Sequence, residues 1–528
     1  MALAPGFNWL LIFVASIVAV VLLAACVYVL IHYQHPDDGN QAWVPKIIIV
    51  LGLWLAMATV LMFPLDVANR AACSFGVAES ACVFTLPMRQ LWFAAFITNL
   101  VMTFFLIPFT MFFWEADSDY TFFMRIKTAA LWTLGMAVVL GLSIGVAYGL
   151  AGFVEYPTQE LVSGLLPLDQ LALLSNRSAS DCIKPGEGLP GYNATNKISG
   201  GLCDGYGGGY TLKTWTLRVS LPVYVMAIQS VFGWILFLVF AGWGVMAAPI
   251  DWIHQYMRRP KAVITKSEFI NRARGLAQRA KEIKSMSEML KRQDRAEGRN
   301  RSWRSNFRRL QRELLQLEED EGALDAVFPQ GQDGEVKWVL YQLGFLLLGL
   351  MGLVGLAVSL LWLIHIVIYM LPPVPIHPML NEVFLKLDGV FPLFGVAAFA
   401  AFCLYLMVVA IKGNFLLGLN FLVVRLYPMR PGATMTSSFL VNVALVLAMS
   451  GAVTQFCASA FASYASNTII FEIFGNDVLY LKGLRYVYQF NVFLYMMLSV
   501  AGLSTLWMVV RGAGGPWKRA KHEDAYRP

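Results

Sequence analysis

The sequence predicts an all-α fold: a polytopic membrane helix bundle of about nine transmembrane helices, with a cytoplasmic antiparallel helical hairpin. The first observation is composition, since 58% of the 528 residues are hydrophobic and only 14% are charged. A soluble globular protein is typically about 45–50% apolar and about 25% charged. The second observation is arrangement, because the apolar residues lie in long blocks, with one long charged stretch between two groups of them.

Nine apolar blocks are long enough to cross a bilayer, which takes roughly 20 residues of helix. No block alternates as a membrane barrel strand does. The first block is predicted to be a true span, since no Lys or Arg precedes Lys46 and the run is longer than the apolar part of a typical signal peptide. The blocks lie at about residues 8–31, 44–63, 90–114, 126–152, 221–249, 337–371, 389–424, 438–464 and 487–511.

These blocks divide the chain into two membrane halves joined by a polar module. The predicted units are a first half with spans 1–5 (1–249), a helical hairpin (250–336), a second half with spans 6–9 (337–511) and a basic tail (512–528). Residues 250–337 hold nineteen of the forty Lys and Arg residues. Because cytoplasmic loops carry the excess of positive charge, this side is predicted to be cytosolic. The N-terminus, loop 64–89 and loop 153–220 are then outside or lumenal, and the C-terminus is cytosolic.

Cysteines and glycosylation sequons agree with this orientation. Two cysteines fall in each of two outside loops, which fits two local disulfides, although four unpaired thiols remain an alternative. Both N-x-S/T sequons lie in the larger outside loop. The loop cysteines are Cys73, Cys82, Cys182 and Cys203, the sequon asparagines are Asn176 and Asn193, and the three remaining cysteines, Cys26, Cys403 and Cys457, fall in spans.

The polar module is predicted to form two amphipathic helices. Thr265 and Glu268 match a capping box at a helix start. Apolar residues then recur at alternating steps of three and four, stop at the stretch GRNRS (298–302), and resume until Pro329. This pattern predicts an antiparallel hairpin with a coiled-coil-like seam. A solvated hairpin packed on itself, a cytosolic protein partner at 265–326, and a basic face on anionic lipid all remain open.

Ionisable groups in or near spans are functional candidates, because burying a charge in lipid is costly. The candidate polar residues of a pathway or interface are Asp66, Arg70, His365 and Lys412. Pro64 is expected to end or kink the second helix, which favours an interfacial Asp66 paired with Arg70, against a polar gate as the alternative. Lys412 indicates either a break in its helix or a wet cavity. His365 is interpreted as an interfacial or satisfied core histidine, and Gln455 as an interhelical hydrogen-bond partner.

Motifs for other functions are missing from the sequence. It has no zinc motif, nucleophile elbow, P-loop or two-carboxylate pattern, so neither an enzyme, a metal site nor a cofactor is predicted. The glycine-rich run 200–210 lacks the Lys-Ser/Thr ending of a phosphate-binding loop. Nucleic-acid binding is not expected, because the charged module is tethered to a membrane and carries nearly as many acids as bases.

Seven motifs, in order along nearly the whole chain, carry a family resemblance. They are YQHPDDGNQA (33–42), FPLDVANR (63–70), IPFTMFFWEADSD (107–119), RIKTA (125–129), RRPKAVITKSEF (258–269), LNEVFLKLD (380–388) and RLYPMRPGAT (425–434). The chain resembles the limb-region membrane proteins, which include the lipocalin-interacting membrane receptors (LIMR) and, more distantly, the lysosomal cobalamin exporter. It is most similar to plant and algal LIMR proteins. The resemblance implies nine spans, an outside N-terminus and a large cytoplasmic loop.

For function, the resemblance implies a receptor or transporter for a small ligand or its carrier, such as a lipocalin-like protein bound outside. A membrane scaffold or signalling regulator acting through the hairpin is the alternative. The expected location is a plasma membrane or an endolysosomal or vacuolar membrane. The resemblance supplies no ligand-binding residue that can be carried over to this chain.

Overall fold

The computed structural model describes most of the two membrane halves and the hairpin. The described residues are 9–35, 43–74, 86–116, 121–161, 210–257, 259–260, 264–297, 301–328, 334–372, 374–391, 393–417, 419–421, 424–426, 429, 431–432, 434–466 and 468–511. Their elements are α1 (Trp9–Tyr33), α2 (Trp43–Ser74), α3 (Met88–Val101), α4 (Ile107–Trp114), α5 (Phe122–Ala151), β1 (Phe153–Leu161), β2 (Tyr210–Arg218), α6 (Leu221–Met257), α7 (Lys266–Glu297), α8 (Arg301–Val327), α9 (Gly334–His365), α10 (Met379–Val390), α11 (Phe394–Leu417), β3 (Leu419–Phe421), β4 (Val424–Leu426), α12 (Thr436–Ala460), α13 (Ile469–Phe471), α14 (Leu484–Gln489) and α15 (Val492–Arg511).

The predicted all-α membrane bundle is confirmed. Within the described residues, eight helices are long and apolar enough to cross a membrane, and Val492–Trp507 is a shorter apolar helix. The 20 residues of α15 nevertheless rise about 30 Å, which is about the thickness of the hydrocarbon core. Three π-helical segments interrupt the helical geometry, and one of them, Met102–Leu106, joins α3 to α4 in a single long helix.

The bundle has an inner and an outer set of helices. α6 and α12 are the most buried, and α6 packs on α9, α11, α12 and α15. Large apolar side chains on α1 and α5 are instead exposed, for example Phe13 and Leu131. Because no water is present in the hydrocarbon layer, such apolar surfaces suit contact with lipid chains. The sequence could not separate these two sets, since both are apolar all round.

Contacts between helix ends fix which ends lie together. Tyr33 at the end of α1 contacts Phe415 near the end of α11 and Phe439 near the start of α12. We call this the hairpin end, because α6 leaves the bundle here toward α7. The opposite end carries the antiparallel pair β1–β2 and is called the strand end. The spans alternate between the two ends, and which end faces the cytosol stays a prediction from charge.

Three boundaries differ from the predictions. Pro64 does not end the second span, because α2 runs through it to Ser74, eleven residues beyond the predicted limit of 63. The stretch between the predicted blocks 337–371 and 389–424 contains most of the amphipathic helix α10. The ends of the predicted loop 153–220 form the nine-residue strands β1 and β2, a feature that the sequence did not predict. Lys412 lies within α11, which does not break at that point.

The two helices of the polar module, α7 and α8, lie antiparallel to each other. Phe269 near the start of α7 stacks on Phe328 just after α8, with ring centroids 4.5 Å apart. Near the turn, the Trp303 indole donates to the Leu290 carbonyl at 3.0 Å. Thr265 caps α7 by accepting a long hydrogen bond from the Glu268 amide at 3.4 Å. The side of the membrane on which this hairpin lies remains a prediction from charge.

Candidate functional site: buried polar groups of the helix bundle

A cluster of uncharged polar side chains lies at the centre of the bundle. Asn99 of α3 donates from its Nδ2 to the Thr59 hydroxyl of α2 at 3.3 Å and to the Ser450 hydroxyl of α12 at 3.0 Å. Thr59, Asn99 and Ser450 are fully buried. We call these three residues the polar cluster. In a membrane bundle, polar side chains turned inward either join helices or line a route for a polar solute.

α6 adds polar atoms beside this cluster. The Ser230 hydroxyl approaches the position that a Cβ on Gly451 would take, at 3.3 Å, and Gly451 follows Ser450 in α12. Within the described part of the chain, Ser230 Oγ, Asn99 Oδ1 and both side-chain amide atoms of Gln229 have no hydrogen-bond partner. An unpaired buried polar group costs about 1–3 kcal/mol. The cluster therefore retains unused hydrogen-bonding capacity.

Gln455 extends the line of polar groups along α12. Its Oε1 accepts from the Trp234 indole of α6 at 2.9 Å, and its Nε2 donates to the Tyr488 hydroxyl of α14. The interhelical role predicted for Gln455 is thus present in the structure. Together with the polar cluster, it gives α12 polar contacts to several neighbouring helices within otherwise apolar packing.

Asp66 lies toward the strand end and is fully buried inside the bundle, whereas its interfacial placement in the membrane stays a prediction. Its Oδ2 accepts from the Trp92 indole of α3 at 3.0 Å and from the Ile470 backbone amide at the start of α13 at 3.1 Å. One carboxylate oxygen thereby joins three segments that are far apart in sequence. The Arg70 side chain lies outside the described residues, so its pairing with Asp66 stays a prediction.

Replacing Asp66 with alanine is expected to destabilise the bundle by about 2–4 kcal/mol, because two buried N–H groups lose their acceptor. Asp66→Asn keeps an acceptor oxygen and is expected to cost less. Thermal unfolding of the purified protein in detergent measures both effects. Thr98→Val is the control, since Thr98 is exposed and donates only within its own helix. A midpoint for Asp66→Ala equal to that of the control contradicts an anchoring role.

Lys412 forms an ion pair near the hairpin end. Its Nζ lies 3.0 Å from Asp251 Oδ2 of α6, and about a fifth of each side chain is exposed (19% and 21%). Gln255 donates to the same carboxylate oxygen at 2.8 Å. His32 and Tyr33 of α1 lie within electrostatic range of Lys412. The sequence singled out Lys412 but not its partner, because Asp251 lies at the boundary of an apolar block.

His365 is fully buried near the strand end, and its Nδ1 has no hydrogen-bond partner among the described residues. Its Nε2 lies 2.8 Å from the Ala460 carbonyl at the end of α12, and its ring stacks on Tyr369 with centroids 5.0 Å apart. Asn381 of α10 donates to the same carbonyl at 3.4 Å. These contacts satisfy a terminal carbonyl of α12, so His365 serves as a helix-end partner.

Charged groups at the strand end join β1 to the segment before α15. Arg485 pairs with Glu155 at 3.1 Å, and the Tyr156 hydroxyl donates to Asp477 at 3.2 Å. Burial, with the nearby Asp477 carboxylate, raises the pKa of Tyr156 to about 12. Burial also raises the pKa of Asp477 above its usual value, although the hydrogen bond from Tyr156 opposes that change.

Several predicted modification sites lie outside the described residues. This holds for the side chain of Cys73 and for Cys82, Cys182, Cys203, Asn176 and Asn193, so the disulfides and glycans stay predictions. The three span cysteines, Cys26, Cys403 and Cys457, are buried free thiols.

Comparison with known proteins shows which family the chain belongs to. A family model described as LMBR1-like membrane protein matches residues 11–330 and 303–506. The chain belongs to this family. A LIMR family protein of Arabidopsis thaliana is 42% identical over 522 residues, covering 99% of each chain. A rice relative (Oryza sativa) is 41% identical, covering 98% of each, and one of Dictyostelium discoideum is 30% identical, covering 96% of this chain and 99% of its own.

No solved structure matches this member of the LMBR1-like family. The family model and the LIMR relatives confirm, at the level of the family, the resemblance predicted from the sequence motifs. The polar cluster is the feature that sequence reasoning missed. Its only signal was the presence of Asn99 and Ser450 as isolated polar residues within apolar blocks, and nothing in the sequence indicated that they meet.

Proposed function

We propose that this protein is a membrane transporter for a small polar ligand, with a route between α2, α3, α6 and α12. The observation that carries the proposal is the buried polar cluster of Thr59, Asn99 and Ser450, beside the unpaired Ser230 hydroxyl. The groups are uncharged and can donate and accept hydrogen bonds, which suits hydroxyl or amide groups of a solute. The charged Asp66 and Lys412 lie toward opposite ends of this route.

The proposed location is a plasma membrane or an endolysosomal or vacuolar membrane, with the N-terminus outside or lumenal. Nineteen of the forty Lys and Arg residues lie at 250–337, which favours a cytosolic side for the hairpin. The four predicted spans 6–9 return the chain to the same side, so the C-terminus is placed there as well. In this orientation the strand end faces outward, and a ligand enters past β1 and β2.

Trapping of solutes by proteoliposomes tests the transport proposal. Vesicles containing the full chain are incubated with a low-molecular-mass cell extract and washed, and their contents are identified by mass spectrometry. We expect wild-type vesicles to trap at least one polar solute, and Asn99→Leu to reduce its uptake at least tenfold. Ser450→Ala, a smaller change, is expected to give a partial loss.

Thr98→Val is the matched control, because it alters the neighbour of Asn99 on the exposed face of the same helix. Its uptake should equal that of the wild type. Equal uptake by Asn99→Leu and Thr98→Val, in samples that both elute as folded protein, contradicts a route through the polar cluster.

A scaffold acting through the hairpin is the second candidate, supported by the packing of α7 and α8 mainly on each other. It predicts that removing the hairpin alone reproduces the loss of the whole protein, with solute trapping unaffected. A receptor for a small ligand or a lipocalin-like carrier is the third. It predicts that ligand uptake depends on the outside segment 186–210, while the Asn99→Leu variant still binds.

A further inference from the structure

The hairpin has an uneven charge distribution along its length. We define its tip as residues 285–297 together with 301–312, and its base as residues 266–284 together with 313–327. Because the two helices are antiparallel, each part contains residues of both. In the base, Arg279 of α7 pairs with Asp320 of α8 at 2.7 Å, and in the tip Trp303 of α8 contacts Leu290 of α7. The tip contains eight basic and three acidic residues, whereas the base contains six basic and eight acidic residues. Positive charge is therefore concentrated away from the membrane attachment.

The base neutralises much of its own charge. Besides Arg279 and Asp320, Arg272 and Glu268 form an ion pair at 2.6 Å. The segment that joins α6 to the base is attached to the bundle, since the Gln342 amide of α9 donates to the Pro260 carbonyl. Its charges thus belong to the internal structure of the hairpin and its attachment.

The tip presents basic and apolar side chains together. Lys291, Arg292 and Arg295 are exposed at the end of α7. Met289 is 63% exposed and Phe307 is 37% exposed. Exposed apolar groups among Lys and Arg are typical of surfaces that enter the interface of an anionic membrane, where the charges attract the headgroups and the apolar groups enter the acyl boundary.

We propose that the tip of the hairpin binds an anionic lipid surface. α7 has 32 residues and is therefore about 48 Å long, so the tip stays within that distance of the membrane that anchors it. A nucleic acid can contact the same Lys and Arg residues through its phosphates, so binding of RNA is an outcome that the test must distinguish. A lipid surface satisfies both the charge and the apolar groups of the tip.

Vesicle binding by the full chain tests this proposal. The protein is placed in nanodiscs of neutral phosphatidylcholine and mixed with vesicles of phosphatidylcholine containing about 30% phosphatidylserine. We expect the nanodiscs to co-sediment with these vesicles, and not with vesicles of pure phosphatidylcholine. The triple variant Lys291→Gln, Arg292→Gln, Arg295→Gln should weaken binding about a hundredfold, since each basic residue near an anionic surface contributes roughly fivefold.

The control is Lys266→Gln, Arg274→Gln, Lys281→Gln, which removes three exposed charges from the base of the same helix. It should bind as the wild type does. Equal weakening by the two triple variants overturns the proposal. Binding of the protein to RNA or polyglutamate of matched charge, with no binding to the anionic vesicles, also overturns it. If the tip triple variant elutes as unfolded protein, Arg292→Gln alone tests the proposal, with an expected fivefold loss.

Discussion

Replacing Gly413 with valine is expected to prevent normal folding of the bundle, with a loss of stability of about 3 kcal/mol or more. Gly413 of α11 faces Gly244 of α6 where these two helices cross. A Cβ at Gly413 would collide with the Phe240 carbonyl oxygen and would lie 3.2 Å from the Gly244 Cα. A Cβ at Gly244 would collide with the Val409 carbonyl oxygen in the same way.

Both collisions involve backbone atoms, which cannot turn aside as a flexible side chain can. The helices must therefore separate to admit a side chain, and small residues are enriched at membrane helix interfaces for this reason. Separation would affect more than one contact, because α6 packs on four other helices. It would also move Lys412, the neighbour of Gly413, away from Asp251.

Size-exclusion elution and thermal unfolding in detergent measure the effect. Gly135→Val is the matched control, since Gly135 lies in α5 and a Cβ there meets no atom within 4 Å. It should elute and unfold as the wild type does. An unfolding midpoint for Gly413→Val equal to that of Gly135→Val would show that the helices are not held as closely as the structure places them.

The sequence predicted the spans well but not their partners, and the reason is physical. Hydrophobic length alone determines whether a helix crosses a membrane, so composition suffices to locate spans. The predicted end of the second span at Pro64 was wrong, because proline is tolerated within transmembrane helices. Neighbouring helices there supply hydrogen bonds to the backbone groups that proline leaves unpaired. Composition thus predicts that a helix spans the membrane, but it does not predict the residue at which that helix ends.

Contacts between distant segments could not be predicted from the sequence. Asn99 and Ser450 are separated by 351 positions, and the Ile470 amide is 404 positions from Asp66. No local pattern encodes such a meeting, and each residue taken alone is an ordinary polar residue in an apolar block. The interaction of Lys412 with Asp251 has the same character, since a lone lysine indicates a need for a partner without specifying which one.

Lys412→Leu is expected to destabilise the protein by about 3 kcal/mol. Removing one partner of a buried ion pair typically costs about 3–5 kcal/mol, and the lower limit applies because about a fifth of each side chain is exposed (19% and 21%). The loss arises mainly from the uncompensated charge of Asp251. The double variant Lys412→Leu, Asp251→Leu removes both charges, so it is expected to recover most of the stability.

Unfolding of the wild type, both single variants and the double variant in the same detergent completes this thermodynamic cycle. The control is Lys386→Leu, because Lys386 forms its ion pair with Glu382 at the surface and is 80% exposed. That substitution should change stability by less than about 1 kcal/mol. Additive losses in the double variant would show that the two charges act independently.

The same variants separate anchoring from gating at the hairpin end. If the pair only holds α6 against α11, the double variant regains solute uptake together with stability. If the pair must break and re-form during transport, the double variant is stable, but its uptake remains altered, because the closed state has lost the interaction that distinguishes it from the open one. His32 and Tyr33 lie within electrostatic range of Lys412, so they are the polar neighbours that Lys412 would keep if Asp251 were released.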